Sequence, residues 1–180
     1  MKPKKCKVCK ADYVPQKMGQ RVCSPECALS LAVSQRGKAE KVARVKERRA
    51  DKEKLKTRSD WMREAQAAFN LFIRLRDADE PCISCGRHHT GQYHAGHFLS
   101  VGARPELRFE ERNVHKQCSA CNNHLAGNIV LYRKALFSKI EAGGVDWLEG
   151  PHEPKKYTID DLKQIKVTYT AKVKELKALQ

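Results

Sequence analysis

The segment Cys82–Asn128 decides the fold, and its sequence is CISCGRHHTGQYHAGHFLSVGARPELRFEERNVHKQCSACNNHLAGN. The pairs Cys82-x2-Cys85 and Cys118-x2-Cys121 stand near its two ends. Two such pairs from opposite ends of one loop can meet at a tetrahedral zinc ion. Because four thiolates fill the coordination sphere of that ion, we expect the zinc to stabilise the fold and to take no part in catalysis.

The loop between the two pairs is rich in histidine, since six of the seven histidines of the chain fall between His88 and His124. Aromatic residues around two of these histidines favour a strand, while glycine and proline favour a loop. The predicted order is a strand at Tyr93–Phe98, a loop at Gly102–Pro105, a strand at Leu107–His115 and a helix beginning near Cys121 and Asn122. We therefore predict an α+β fold in which a small zinc-stapled ββα-metal finger is flanked by helices.

A second cysteine quartet lies in residues 1–33, where Cys6, Cys9, Cys23 and Cys27 follow the spacing C-x2-C-x13-C-x3-C. This spacing predicts an N-terminal zinc knuckle, whose role is either structural or a contact with DNA or a protein partner. Residues 34–58 form a charged linker, and from residue 36 onwards it has 11 basic and four acidic residues. Such a segment is either a solvated single helix or disordered until it binds, and its charge favours a basic arm along phosphates over a plain linker.

The composition points to a polyanionic partner. The 180 residues have a formal net charge of +15, and such an excess attracts nucleic acid through counterion release. The N-terminus has no apolar core typical of a secretory signal, and no stretch is apolar enough to span a membrane. We therefore expect a cytoplasmic protein, in whose reducing environment the eight cysteines hold two zinc ions and do not form disulfides.

Helices are predicted on both sides of the finger, in a domain covering residues 59–150. The first is capped by Ser59 or Asp60 and has an apolar stripe of Trp61, Ala65, Ala68, Phe69, Phe72 and Ile73. A helix at Ile129–Ala142 has Leu131, Ala135, Leu136 and Ile140 as its predicted buried face. In residues 151–180, Thr158 and Asp161 resemble a capping box before an amphipathic helix, which either closes the core or pairs with a second subunit.

The run His94-Ala-Gly-His97, followed by Arg112-Asn113-Val-His115-Lys-Gln-Cys118-Ser-Ala-Cys121-Asn122, resembles the phage recombination nucleases of the NinG (Rap) family. The cysteine framework, the histidines inside it and the asparagine after the last cysteine are also similar to the Holliday-junction resolvase endonuclease VII, an HNH or His-Me finger enzyme. That family places an aspartate immediately before its catalytic histidine. Gly96 takes that position here, and we expect His94 to replace the missing metal ligand.

The resemblance implies roles for individual residues. His97 would be the general base, a role that suits a group whose ordinary pKa is about 6.5. A catalytic Mg²⁺ or Mn²⁺ would be bound by His94 and by Asn122, for which an ordinary helix cap is the alternative role. Asn113 would hold the loop beside the base or be a plain turn residue. His115 and His124 would contact metal or phosphate, or have no special role.

The expected function is that of a metal-dependent endonuclease that nicks branched DNA, such as Holliday junctions or D-loops, in phage recombination. Basic residues around the site could clamp phosphates or be solvated surface charge, namely Arg104, Arg108, Arg112 and Lys116. Cutting two opposed strands predicts a homodimer, and recombination proteins of the phage or host are possible further partners. The alternative is a non-catalytic zinc protein that binds nucleic acid, while a thiol redox role lacks a thioredoxin-like setting.

Overall fold

The computed structural model describes residues 2–179. Two compact units are separated between Lys56 and Thr57. Each unit has its own secondary structure, and together they make a mixed helix and sheet protein with two cysteine clusters. None of the helices in the described residues combines the length and the apolar character that crossing a bilayer requires.

The N-terminal unit consists of a small cysteine-bearing hairpin and one long helix. Strands β1 (Lys4–Lys5) and β2 (Asp12–Tyr13) pair in antiparallel fashion, and helix α1 covers Pro25–Lys54. The Ser24 side chain caps α1 by accepting from the Cys27 N–H. No residue of α1 is buried, so the solvated single helix, one of the two predicted forms of the linker, is the form observed.

The second unit contains a two-stranded sheet surrounded by helices. Its elements are α2 (Arg58–Arg76), β3 (Tyr93–His97), β4 (Val114–Cys118), α3 (Ile129–Lys139), α4 (Gly144–Glu149) and α5 (Ile159–Ala178). Strands β3 and β4 are antiparallel, with Tyr93 opposite Cys118 and His97 opposite Val114. This register places His97 at the end of the hairpin that is closed by the loop of residues 98–113, and Cys118 at the open end.

Helices α2 and α5 form the larger part of the core with one face of the hairpin. Phe69 and Ile73 of α2, Val114 of β4, and Tyr169 and Val173 of α5 are buried together. The apolar face of α5 thus closes the core of its own chain, which was one of its two predicted roles. The homodimer stays a prediction.

A second apolar cluster supports the loop between the strands. Tyr132 and Leu136 of α3 and Leu148 of α4 pack against Phe98 and Leu107. The predicted burial of Leu131 is wrong, because α3 turns Tyr132 inward and leaves Leu131 46% exposed.

Two predicted boundaries also differ from the structure. Helix α2 is capped by Thr57, which forms a capping box with Asp60, so neither Ser59 nor Asp60 is the cap. The second strand is Val114–Cys118 and not Leu107–His115, because residues 105–107 and 111–113 form short 3-10 turns. The capping box of Thr158 and Asp161 on α5 is confirmed.

Candidate active site and metal centres

The central quartet forms a compact thiol cluster. The sulfur atoms of Cys82, Cys85, Cys118 and Cys121 all lie within 4.8 Å of one another, and three of the four residues are buried. Backbone N–H groups donate to two of these sulfurs, from Cys118 to Cys82 Sγ at 3.3 Å and from Cys121 to Cys118 Sγ at 3.5 Å. His89 lies outside the cluster with its Nε2 3.2 Å from Cys85 Sγ. The cluster can hold a zinc ion, with donors that stabilise its thiolates.

The N-terminal quartet is equally compact but less enclosed. Cys6, Cys9, Cys23 and Cys27 satisfy the same 4.8 Å limit, and only Cys6 is buried. The Cys9–Cys23 and Cys23–Cys27 sulfur separations of 3.4 and 3.8 Å match the edge of a tetrahedron around zinc, which is about 3.8 Å for Zn–S bonds of about 2.3 Å. Both quartets therefore meet as predicted, and each could bind zinc.

His97 ends β3 with a defined tautomer. Its Nε2 lies 3.0 Å from the backbone oxygen of Arg108. A carbonyl oxygen can only accept, so Nε2 must carry the proton and Nδ1 keeps its free lone pair. Burial lowers the pKa of His97 below its ordinary value, although the Arg108 carbonyl opposes this shift. The imidazole is therefore neutral near pH 7, with Nδ1 available as a base.

Asn113 fixes the loop that follows His97. Its side-chain oxygen accepts from the Leu99 N–H at 2.8 Å, and its amide nitrogen donates to the carbonyls of Leu99 at 3.0 Å and Leu107 at 3.3 Å. The residue is fully buried. These three bonds hold both ends of the loop between Leu99 and Leu107.

A groove of about 490 Å³ brings His97 and Asn122 together, and Leu99, Ser100, Gly127 and Ile129 also line it. Asn122 donates from its amide nitrogen to the side chain of Asn123 at 2.7 Å. The expected helix near Cys121 is only a short π-helical turn at Ala120–His124, and α3 begins later. Asn122 therefore lies inside a turn and not at the N-terminus of a long helix.

Two buried polar atoms of the hairpin have no hydrogen-bond partner. They are His94 Nε2 and Gln117 Oε1, and their residues lie directly opposite each other on β3 and β4. His94 was predicted as a metal ligand, whereas sequence reasoning missed Gln117. The sequence around Gln117 gives no local signal of its position, because only the pairing of the two strands places it opposite His94.

His115 is a core residue. It is 3% exposed, and its Nδ1 lies 3.1 Å from the hydroxyl of Tyr132, which donates to the carbonyl of Gly96 at 2.9 Å. Burial, followed by the nearby charge of Arg76, lowers the pKa of His115 to about 3. These contacts explain His115 as part of the packing and give no support to a contact with metal or phosphate.

The four basic residues expected to clamp phosphates are all engaged within the chain. Arg104 pairs with Glu106, Arg112 pairs with Glu110 and Glu141, Arg108 donates to Gln66, and Lys116 donates to the carbonyl of Ala78. Lys116 is also only 6% exposed. Each of these cations therefore has a partner within the chain. The structure gives no support to their expected role as clamps for phosphates.

A buried carboxylate that sequence reasoning missed holds β4 in place. Asp77, at the end of α2, pairs with Arg76 and accepts from the Lys116 N–H at 2.9 Å. Although burial opposes the shift, the hydrogen bond and charge of Arg76 lower the pKa of Asp77. The adjacent Arg-Asp pair was visible in the sequence, but its partner on β4 lies 39 residues away.

Comparison with known proteins identifies relatives over almost the whole chain. The family described as "Bacteriophage Lambda NinG protein" matches residues 1–178. "Protein ninG" of Escherichia phage 933W is 42% identical over 188 residues, which cover 97% of this chain and 94% of that protein. "Protein ninG" of Escherichia phage lambda is 43% identical over 183 residues, covering 94% and 90%. "Protein ninG" of Salmonella phage P22 is 42% identical over the same length, with the same coverage.

No solved structure matches the chain. The matches in sequence confirm the resemblance to the NinG family that was inferred from the residues between His94 and Asn122. The chain belongs to the NinG family of phage proteins.

Proposed function

We propose that this NinG protein is a metal-dependent endonuclease that nicks branched DNA in phage recombination, with His97 as general base. The observation that carries the proposal is the hydrogen bond from His97 Nε2 to the Arg108 carbonyl, which leaves Nδ1 as a neutral base beside a groove. The hairpin, the turn after it and helix α3 have the order of a ββα-metal finger, which supports the HNH assignment.

The reaction would be hydrolysis of one phosphodiester bond. Nδ1 of His97 removes a proton from a water molecule, the water oxygen bonds to phosphorus, and the bond from phosphorus to the 3′ oxygen breaks. A bound Mg²⁺ or Mn²⁺ supplies charge stabilisation for the leaving oxygen. His94 and Asn122 would hold the cation, and Asn113 keeps the loop after His97 in position. The unpartnered nitrogen of His94 fits a site that receives a cation.

Binding of DNA is proposed for the exposed surface of α1. At about 100° per residue, six cations between Lys38 and Lys52 fall within an arc of about 140°, and no acidic residue of that stretch lies in the arc. They are Lys38, Lys41, Arg44, Arg48, Arg49 and Lys52. A cationic strip of this kind binds phosphates without reading bases, which suits an enzyme that selects DNA by shape.

The test is nicking of a labelled four-way junction and of the matching linear duplex, with Mg²⁺ or Mn²⁺ and with EDTA. We expect cleavage of the junction by the wild type only with metal. The His97→Ala variant should bind the junction normally and cut it about 10²- to 10⁴-fold more slowly, the range for a lost general base. Added imidazole should restore part of that rate.

The matched control is His124→Ala, since His124 is an exposed histidine of the same segment. Its cleavage rate should equal that of the wild type. Zinc content and tryptophan fluorescence must be unchanged in both variants, so that a lost rate is not a lost fold. If the wild type binds both DNAs and cuts neither with any metal, the protein is the non-catalytic nucleic-acid-binding alternative.

A further inference from the structure

We propose that the side-chain oxygen of Gln117 is a ligand of the divalent cation and takes the place of the carboxylate that Gly96 cannot supply. This inference rests on the proposed function for the identity of the site. It adds a residue from the second strand of the hairpin to His94 and Asn122.

The amide of Gln117 has only one possible orientation. Its nitrogen donates to Ser84 Oγ at 2.6 Å and also to the carbonyl of Gly127. Because the Gly127 oxygen cannot donate, exchanging the amide oxygen and nitrogen would bring two acceptors together. The oxygen of Gln117 is therefore held on the side away from Ser84 and Gly127.

That oxygen lies over Gly96. A Cβ atom built on Gly96 would overlap Gln117 Oε1, so a larger residue at position 96 would force the Gln117 side chain out of its place. The space that the aspartate of endonuclease VII would need is thus filled by an amide oxygen from the facing strand. Gly96 immediately precedes His97, and Gly127, which holds the amide, lines the groove shared by His97 and Asn122.

The environment of the oxygen points to a cation. Gln117 is 0% exposed, and its Oε1 has no donor, so this acceptor has lost its hydration without gaining a hydrogen bond. His94, its direct cross-strand neighbour, has the second unpartnered buried atom of the described residues. Opposite residues on one face of a hairpin have Cβ atoms about 4.5–5.5 Å apart, a separation from which two side chains can reach one ion. Glutamine oxygens are accepted ligands of hard cations, and an imidazole nitrogen beside one suits Mn²⁺.

The experiment measures Mn²⁺ binding to the zinc-loaded full chain without DNA, by the loss of the electron paramagnetic resonance signal of free Mn²⁺. Gln117→Met keeps the size of the side chain and removes the oxygen, so Mn²⁺ affinity should fall about 10- to 100-fold. Gln92→Met is the matched control, because it makes the same substitution at an exposed glutamine just before β3. It should keep Mn²⁺ affinity within about twofold.

A double substitution tests the replacement directly. Gly96→Asp alone should lose Mn²⁺ binding, because its side chain would collide with Gln117. Gly96→Asp combined with Gln117→Ala makes room for the carboxylate and should restore Mn²⁺ affinity to the wild-type level or higher. Tryptophan fluorescence and zinc content show which variants are folded.

The outcomes separate this inference from the proposed function. If the folded Gln117→Met variant binds Mn²⁺ as tightly as the wild type, or if the wild type binds none, Gln117 is not a ligand. Junction cleavage by the wild type would then leave the nuclease proposal intact. If Mn²⁺ binding depends on Gln117 while no DNA is cut, the metal site stands and the nuclease proposal fails.

Discussion

The two cysteine quartets of this protein are alike in their own geometry and differ in their surroundings. In each, four sulfurs lie within 4.8 Å of one another. The central quartet includes Cys118 of β4, and Val114 at the other end of this strand packs against Phe69 in the core. Around the N-terminal quartet, Cys6 and Pro15 are the only buried residues among residues 2–56. The central quartet therefore belongs to a unit that also has a hydrophobic core. The N-terminal quartet takes the place of such a core in its own unit.

The largest difference between the two quartets is expected when a single cysteine of either one is replaced. Binding of a structural zinc ion contributes about 10–16 kcal/mol to the folding of small domains. Cys6→Ser and Cys118→Ser should each lower the zinc content from two ions per chain to one. Both tryptophans, Trp61 and Trp147, belong to the second unit, so their fluorescence reports the unfolding of that unit alone.

We expect Cys118→Ser to lower the midpoint of the tryptophan transition by more than about 10 °C, because a destabilisation of even 2–3 kcal/mol has that effect. Cys6→Ser should leave this midpoint unchanged and should reduce the helical circular dichroism signal of α1. Equal shifts of the tryptophan transition in both variants would show that the two quartets do not have separate structural roles.

A smaller effect concerns the stability of the second unit in acid. It should depend on the buried His115, which has no counterpart in the N-terminal unit. His115 has a pKa of about 3 in the folded protein and about 6.5 when unfolded. Above pH 6.5 His115 is neutral in both states and does not change the free energy of unfolding. As the pH falls below 6.5, His115 takes up a proton in the unfolded state before it does so in the folded state. The free energy of unfolding therefore falls by about 1.4 kcal/mol per pH unit, which amounts to about 2 kcal/mol at pH 5.

Urea unfolding of the second unit at pH 7 and pH 5, with zinc in excess, measures this loss. The His115→Gln variant should show a pH dependence weaker by about 2 kcal/mol, whatever its stability at pH 7. The exposed His124 is the control, and His124→Gln should behave as the wild type does. An unchanged pH dependence in His115→Gln would exclude His115 as the group responsible.

The smallest expected effect concerns the N-terminal unit and its cationic strip. Changing Lys41, Arg44 and Arg48 together to Gln removes three charges from the centre of the strip. The slope of log Kd against log salt should fall by about 2.7 units if all three contact phosphates, with a loss of DNA affinity of about tenfold or more.

A variant with the same net charge provides the control for this strip. Arg36, Lys46 and Lys54 lie on other sides of α1, and two of them pair with Glu40 and Asp51. Changing these three residues to Gln should alter the slope by less than one unit. Equal losses from the two triple variants would show that DNA responds to total charge and not to one face of the helix.

Features that depend on residues close in sequence could be predicted. The close-spaced cysteine pairs of the two quartets, the strand that ends at His97 and the capping box of α5 each need only a short stretch of chain to be recognised. The loop role of Asn113 came from the family resemblance, and the structure adds the backbone groups that it binds.

Features that depend on distant partners could not be predicted. The second strand starts later than expected because Glu110 and Asn113 stabilise turns before it. Asp77 has no local signal of its role, because the Lys116 N–H that it binds lies 39 residues away in the chain. Arg104 and Arg112 also have partners that only folding brings near, namely the carbonyl of Gly150 for Arg104 and the carboxylate of Glu141 for Arg112. The position of Gln117 over Gly96 likewise follows from the pairing of β3 with β4, which the sequence does not show.

The length of α1 sets a scale for the N-terminal unit. Its 30 residues form an uninterrupted rod of about 45 Å at about 1.5 Å per residue. One turn of B-form DNA is about 34–36 Å long, so a duplex lying along this rod would be covered for more than a full turn. A nuclease footprint of the bound protein should therefore extend well beyond the few base pairs that a groove of about 490 Å³ could protect.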